Sequence, residues 1–130
     1  MLDHVSLPVA DMAAARVFYD AALAPLGFKR MMNFDAEAGN SASGYGTDHP
    51  WFWIGREDAR KTAAVSKGSH IAFRAPSRDA VDAFYEAAIA AGAKDNGAPG
   101  LRPNYHPNYY AAFVLDRDGH HIEAVCHQPE

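Results

Sequence analysis

Apolar side chains recur at Ala15, Phe18, Tyr19, Ala22 and Leu23. That is the i, i+3, i+4, i+7, i+8 spacing of a helix with one buried face. The same spacing returns at Val81, Phe84, Tyr85, Ala88 and Ile89. Asp11 and Ser77 stand where N-caps are needed, because a short side-chain oxygen satisfies the first free amide hydrogens of a helix. Gly27 and Gly92 are the predicted helix stops. Just before each helix the period drops to two. Residues 3–9 put Val5, Leu7 and Val9 on one side, and residues 69–75 do the same with Ile71, Phe73 and Ala75. This is the alternation of a half-buried strand. Further strands are predicted at 28–33, 41–46 and 51–55, and at 109–116 and 121–127 beyond a Gly/Pro-rich loop at 96–108. "DRDG", residues 116–119, reads as a hairpin turn with Gly119 where positive φ is required.

The two runs are one pattern used twice. A shift of 66 residues lays "HVSLPVADMAAARVFYDAALA", from His4, on "HIAFRAPSRDAVDAFYEAAIA", from His70. His4 meets His70, Phe18-Tyr19 meets Phe84-Tyr85, and Asp20 meets Glu86. Alanine matches are cheap in an alanine-rich chain, so the histidines and the Phe-Tyr pairs carry the alignment. The prediction is an α+β fold of two βαβββ modules, 1–58 and 69–130, joined by a polar linker at 59–68. Each helix would cover one sheet face and leave the other faces free to form a shared cleft.

Composition narrows the function classes. A chain of 130 residues can bury a real core as one domain. A net charge of -4 argues against a nucleic-acid partner, which needs a basic footprint. No apolar run approaches the ~20 residues of a membrane helix. Cys126 is the single cysteine, so no internal disulfide forms, which fits a reducing compartment. Asp3 and His4 interrupt any signal peptide. A cytoplasmic protein is the default expectation, and Cys126 is expected in the core.

Strand parity then picks out candidate chemistry. His4 and His70 fall opposite the apolar faces of their strands. In 121–127 the apolar face is Ile122, Ala124 and Cys126, which leaves Glu123 with His121, Val125 and His127 on the other. Two imidazoles and a carboxylate, His4, His70 and Glu123, form the facial ligand set of a divalent metal. Against this stands the ordinary use of a strand histidine as a hydrogen-bonded structural residue, and of a strand glutamate as a solvated charge.

The segments "DHVSLPVAD", "ARVFYDAALAPLGF", "SHIAFRAPSRDAVDAFYEAA" and "YYAAFVLDRDGHHIEAV" resemble the glyoxalase, bleomycin-resistance and extradiol-dioxygenase group, the vicinal oxygen chelate superfamily. The closing D-x-D-G-x-x-I-E pattern is among its more specific marks. The resemblance covers nearly the whole chain. It implies two βαβββ modules forming an incomplete barrel around a metal cleft. Carried over, His4, His70 and Glu123 match the first, third and fourth ligand positions of the glyoxalase-I type. One divalent ion is implied: zinc, nickel, manganese or iron(II). The second ligand should fall in "WFWIG", where Trp51, Phe52 and Trp53 offer no donor to a metal. Glu57 and His49 are the nearest substitutes. The absent carboxylate is the one expected to move a proton in glyoxalase I, so strict lactoylglutathione lyase activity is not expected. The group also includes non-catalytic drug-binding proteins and iron(II) dioxygenases, and fold alone does not choose among them.

Other residues join the candidate list. His106 and Tyr110, beside the long loop, are candidates for a base and for a donor to a substrate oxygen. Trp51 and Trp53 share one strand face and are expected to line an apolar substrate wall, with a homodimer contact as the rival use. Arg74 shares a face with His70 and is a candidate for an anionic substrate group. A structural relic without metal is the plain alternative to all of these.

Overall fold

A computed structural model describes residues 1–36, 40–56, 65–66 and 68–130. The chain runs β1 (Val5–Pro8), α1 (Met12–Leu23), a 3-10 turn (Ala24–Leu26), β2 (Lys29–Asp35), β3 (Ser41–Gly46), β4 (Pro50–Arg56), β5 (His70–Arg74), α2 (Arg78–Ala90), β6 (Lys94–Asp95), β7 (Gly100–Leu101), β8 (Tyr110–Leu115) and β9 (His121–Cys126). Both expected caps are present. Asp11 accepts from the Ala14 amide at 3.0 Å and Ser77 from the Ala80 amide at 3.1 Å. Each such cap is worth about 1 kcal/mol. Gly27 and Gly92 end the helical segments at φ 86° and 106°, a conformation glycine adopts freely.

α1 buries Met12 and all five residues of its predicted face. α2 buries only Val81, Phe84 and Ala88. Ile89 is 37% exposed, contrary to expectation. Eight residues rotate the helix by about 80°, so Ile89 lies at the margin of the stripe.

The strands form two sheets. The first has the order β1-β4-β3-β2, with β1 parallel to β4. The second has the order β5-β9-β8-β6, with β5 parallel to β9, and β7 also pairs with β8. The short strands β6 and β7 fall around and inside the segment expected to be loop. Two-residue strands carry too little pattern to be read.

One apolar core holds the inner faces of both helices and the helix-facing sides of both sheets. Phe52 of β4 and Phe73 of β5 meet there edge to face, with ring centroids 5.1 Å apart. Burying one such phenylalanine contributes roughly 1.5–3 kcal/mol. The sheets therefore meet through their helix-facing sides. Their other faces lie outside this core, and among the described residues the strands close no barrel. Two sheets and two helices are the α+β architecture expected from the sequence.

The β8–β9 turn ties the modules together. The Ala10 amide donates to Asp118 at 3.0 Å, and the His120 Nε2 pairs with the Pro8 carbonyl at 2.7 Å. Asp116 accepts from the amides of Asp118 and His120, both at 2.9 Å. The D-x-D-G motif is thus structural here.

Candidate metal centre

Glu123 lies in the middle of β9, paired in register with Ala72 of β5 and Phe113 of β8. Its neighbours Ile122 and Ala124 face the core, so its side chain takes the outer face. It is nevertheless only 1% exposed. A buried carboxylate needs partners, and two are present. The Tyr109 hydroxyl donates to Oε2 at 2.5 Å, and the His70 Nε2 lies 3.3 Å from Oε1. Two donors each ~2.1 Å from one ion, at tetrahedral or octahedral angles, stand roughly 3.0–3.4 Å apart. The His70–Glu123 spacing therefore fits a shared ion. The His70 side chain is 55% exposed and borders two cavities of about 210 Å³ each, so its ring is open to solvent while Glu123 lies behind it.

His4 precedes β1 and is also exposed. Its Nδ1 donates to Asp3 at 2.7 Å, and this bond is the main cause holding the Asp3 carboxyl below its ordinary range. In the neutral ring that leaves the Nε2 lone pair free, the arrangement common among metal-binding histidines. Yet His4 does not join His70 and Glu123. Among the described residues no three His, Cys, Asp or Glu side chains converge to hold a metal.

In "WFWIG" the alternation splits Trp51 and Trp53 from Phe52 and Ile54, and the structure decides which pair is core. Phe52 and Ile54 are core, at 2% and 0% exposure. Trp53 pairs in register with Ser6 of β1 and Gly44 of β3. Its indole N–H donates to the Pro50 carbonyl at 2.9 Å, and its ring stacks on Phe34 at 5.9 Å. A Cβ on Gly44 would stand 2.8 Å from the indole, so the ring lies against a bare backbone. Trp51 is half-exposed beside Phe28 and His49. His49 lies 3.9 Å from Asp3, the carboxylate that also holds His4. Glu57 falls outside the described residues.

The structure separates two further candidates from Glu123. Tyr110 turns to the helix side, donating to Asp82 of α2 at 2.7 Å, with the Arg78 guanidinium over its ring. Tyr110 therefore points away from Glu123, contrary to its reading as a donor in the cleft, and Tyr109 is the tyrosine that reaches that carboxylate. Parity carried the signal: Ala112 and Val114 face the core, so Tyr110 does too and Tyr109 does not. The bond to Asp82, together with burial, pushes the Tyr110 hydroxyl up to about 12. Burial, then the bond to Glu123, pushes the Tyr109 hydroxyl up to about 12. His106 bonds to His127 at 2.7 Å and touches Tyr109 edge on, and Tyr109 in turn reaches Glu123. Arg74 is exposed on β5, and Cys126 is buried.

Residues 1–124 match the model of the Glyoxalase/Bleomycin resistance protein/Dioxygenase superfamily. A glyoxalase/bleomycin resistance protein from Albidiferax ferrireducens T118 is 29% identical, with 98% of each chain covered and a TM-score of 0.75. Glyoxalase I from Zea mays is 23% identical with a TM-score of 0.76; the match covers 97% of this chain and 46% of the maize chain. The fosfomycin resistance protein FosX from Listeria monocytogenes, solved with Mn(II) and sulfate, is 18% identical over 97% of this chain and 91% of its own, with a TM-score of 0.69. At these identities the last two establish the fold alone. No curated protein matches the sequence. The chain belongs to the Glyoxalase/Bleomycin resistance protein/Dioxygenase superfamily.

Proposed function

We propose that the protein is a divalent-metal-dependent enzyme of the glyoxalase-like group, of lyase or isomerase type, acting on a small substrate held through two adjacent oxygens. The observation that carries this reading is the buried carboxylate of Glu123 facing the His70 imidazole at 3.3 Å. His70 and Glu123 supply two ligands, and His4 supplies the third from a second copy of the chain. A two-fold pairing of outer sheet faces brings His4 of one protomer to His70 and Glu123 of the other. The apolar outer face of the first sheet supports this, because Met32, Phe34 and Trp51 are 42%, 52% and 41% exposed there, and a partner would cover them.

Zinc, nickel, manganese or iron(II) suits a His-His-Glu set. The ion would supply Lewis acidity for negative charge developing on the two substrate oxygens. The chain's own residues shape the rest. The Trp53–Phe34 stack offers a flat apolar wall, and Arg74 a cation for an acidic substituent. None of Trp51, Phe52 and Trp53 can act as a base, so a reaction that needs a carboxylate in that strand is not expected.

Metal analysis of protein purified without chelator is the first test. A chain that takes up no divalent ion ends the reading. The shared site is tested by mixing. His4→Ala and Glu123→Gln variants should each bind zinc poorly. Unfolded together and refolded, they should regain about a quarter of the wild-type sites, because half the dimers are mixed and each carries one intact set. If mixing restores nothing while the wild type binds zinc, the site is not shared.

A non-catalytic ligand-binding protein is the second reading. The Trp53–Phe34 stack favours it, since flat aromatic surface binds without chemistry. Recovery of every bound ligand unchanged would support this reading over the first.

A further inference from the structure

We infer that Tyr109 is a positioning residue for Glu123, holding one carboxylate oxygen so that only the other is offered toward His70. This rests on the metal-site reading above. The geometry divides the carboxylate cleanly. Oε2 receives the Tyr109 hydroxyl at 2.5 Å, and Oε1 faces the His70 Nε2 at 3.3 Å. At 1% exposure, Glu123 has little room to turn and present both oxygens. A glutamate held this way binds an ion through one atom and leaves a coordination position open for substrate.

Tyr109 is itself fixed from several sides. Its carbonyl accepts from the Arg102 amide at 2.7 Å, and its amide donates to the His106 carbonyl at 3.2 Å. The Arg102 guanidinium clips the preceding loop through the Ala98 and Gly100 carbonyls, both at 2.8 Å. His106 accepts the Asn108 amide on Nδ1, which directs its Nε2 hydrogen to His127. The rings of Tyr105, His106 and His127 then enclose the Tyr109 ring at centroid distances of 4.9, 5.4 and 5.2 Å. The Gly/Pro-rich loop therefore presents one hydroxyl to one carboxylate oxygen. Outer partners that orient a ligand in this way are worth about 10–100-fold in metal affinity.

The test is Tyr109→Phe, which removes the hydroxyl and keeps the ring contacts. Zinc affinity by chelator competition should fall about 10–100-fold, with the circular dichroism spectrum unchanged. The visible absorption of the cobalt(II)-loaded protein should change in intensity, because the released oxygen alters the coordination number. In a Glu123→Gln background the same substitution should cost nothing further. Wild-type zinc affinity and cobalt spectrum in Tyr109→Phe would overturn the inference, as would a full additional loss in the Glu123→Gln background. A wild-type chain that binds no zinc defeats both the metal-site reading and the role of Tyr109. A wild type that binds zinc while Tyr109→Phe binds it equally defeats the role of Tyr109 alone.

Discussion

Tyr19 and Asp116, 97 residues apart, share a 2.5 Å hydrogen bond inside the core. It joins α1 of the first module to the β8–β9 turn of the second. Burial first, then the neighbouring Asp116 charge, push the Tyr19 hydroxyl well above its ordinary value. The Tyr19→Phe variant removes the donor while Asp116 keeps its two amide partners. Urea unfolding should show a loss of about 1.5–3 kcal/mol, the usual worth of a hydrogen bond to a charged group. An unchanged midpoint would mean that the tie between modules lies elsewhere.

Alkali should weaken the fold before it reaches the ordinary range of arginine. Tyr109 and Tyr110 are both pushed from 10.0 up to about 12, and Tyr19 and Tyr45 are also raised. A phenol whose folded value is raised favours the folded state while it stays protonated. That contribution is complete below pH 10 and fades as pH climbs through about 12. Denaturation curves at pH 9, 10 and 11 should show stability falling across the series. Tyr110→Phe should flatten part of that fall.

Gly44→Ala should dislodge an indole. The added methyl would stand 2.8 Å from the Trp53 ring and 2.9 Å from Pro50. Displacing the ring strains its bond to the Pro50 carbonyl and its stack on Phe34. Tryptophan emission should shift to longer wavelength as the ring meets water, with a stability loss of about 1–3 kcal/mol. Unaltered emission would place the indole elsewhere.

Replacing Glu123 by Gln should reduce zinc affinity at least about tenfold. The amide oxygen can still accept the Tyr109 hydroxyl, so secondary structure should persist. Equal zinc binding by the two proteins, measured by chelator competition, would remove Glu123 from the ligand set.

Much of this was legible in the pattern of residues. The i, i+3, i+4 faces gave both helices, and period-two alternation put Ile122 and Ala124 on the core side and Phe52 with Ile54 on one face, all of which lie at 0–2% exposure. The same alternation separates Glu123 from its apolar neighbours. What parity could not supply was the relation between sheets. His4 and His70 match in sequence, yet which sides of two sheets meet is set by packing such as Phe52 on Phe73. Tyr109 was missed for a smaller reason, since a choice of one residue in "NYY" decides which hydroxyl faces the carboxylate.

Trp53 and Gly44 are linked as occupant and vacancy. A carboxylate placed at position 53 would leave bare backbone where the ring lay and the Pro50 carbonyl without its donor. A larger residue at position 44 would collide with the ring that is there now. Neither position can change alone without loss, so the chain is held to its indole by a barrier that only a paired substitution crosses.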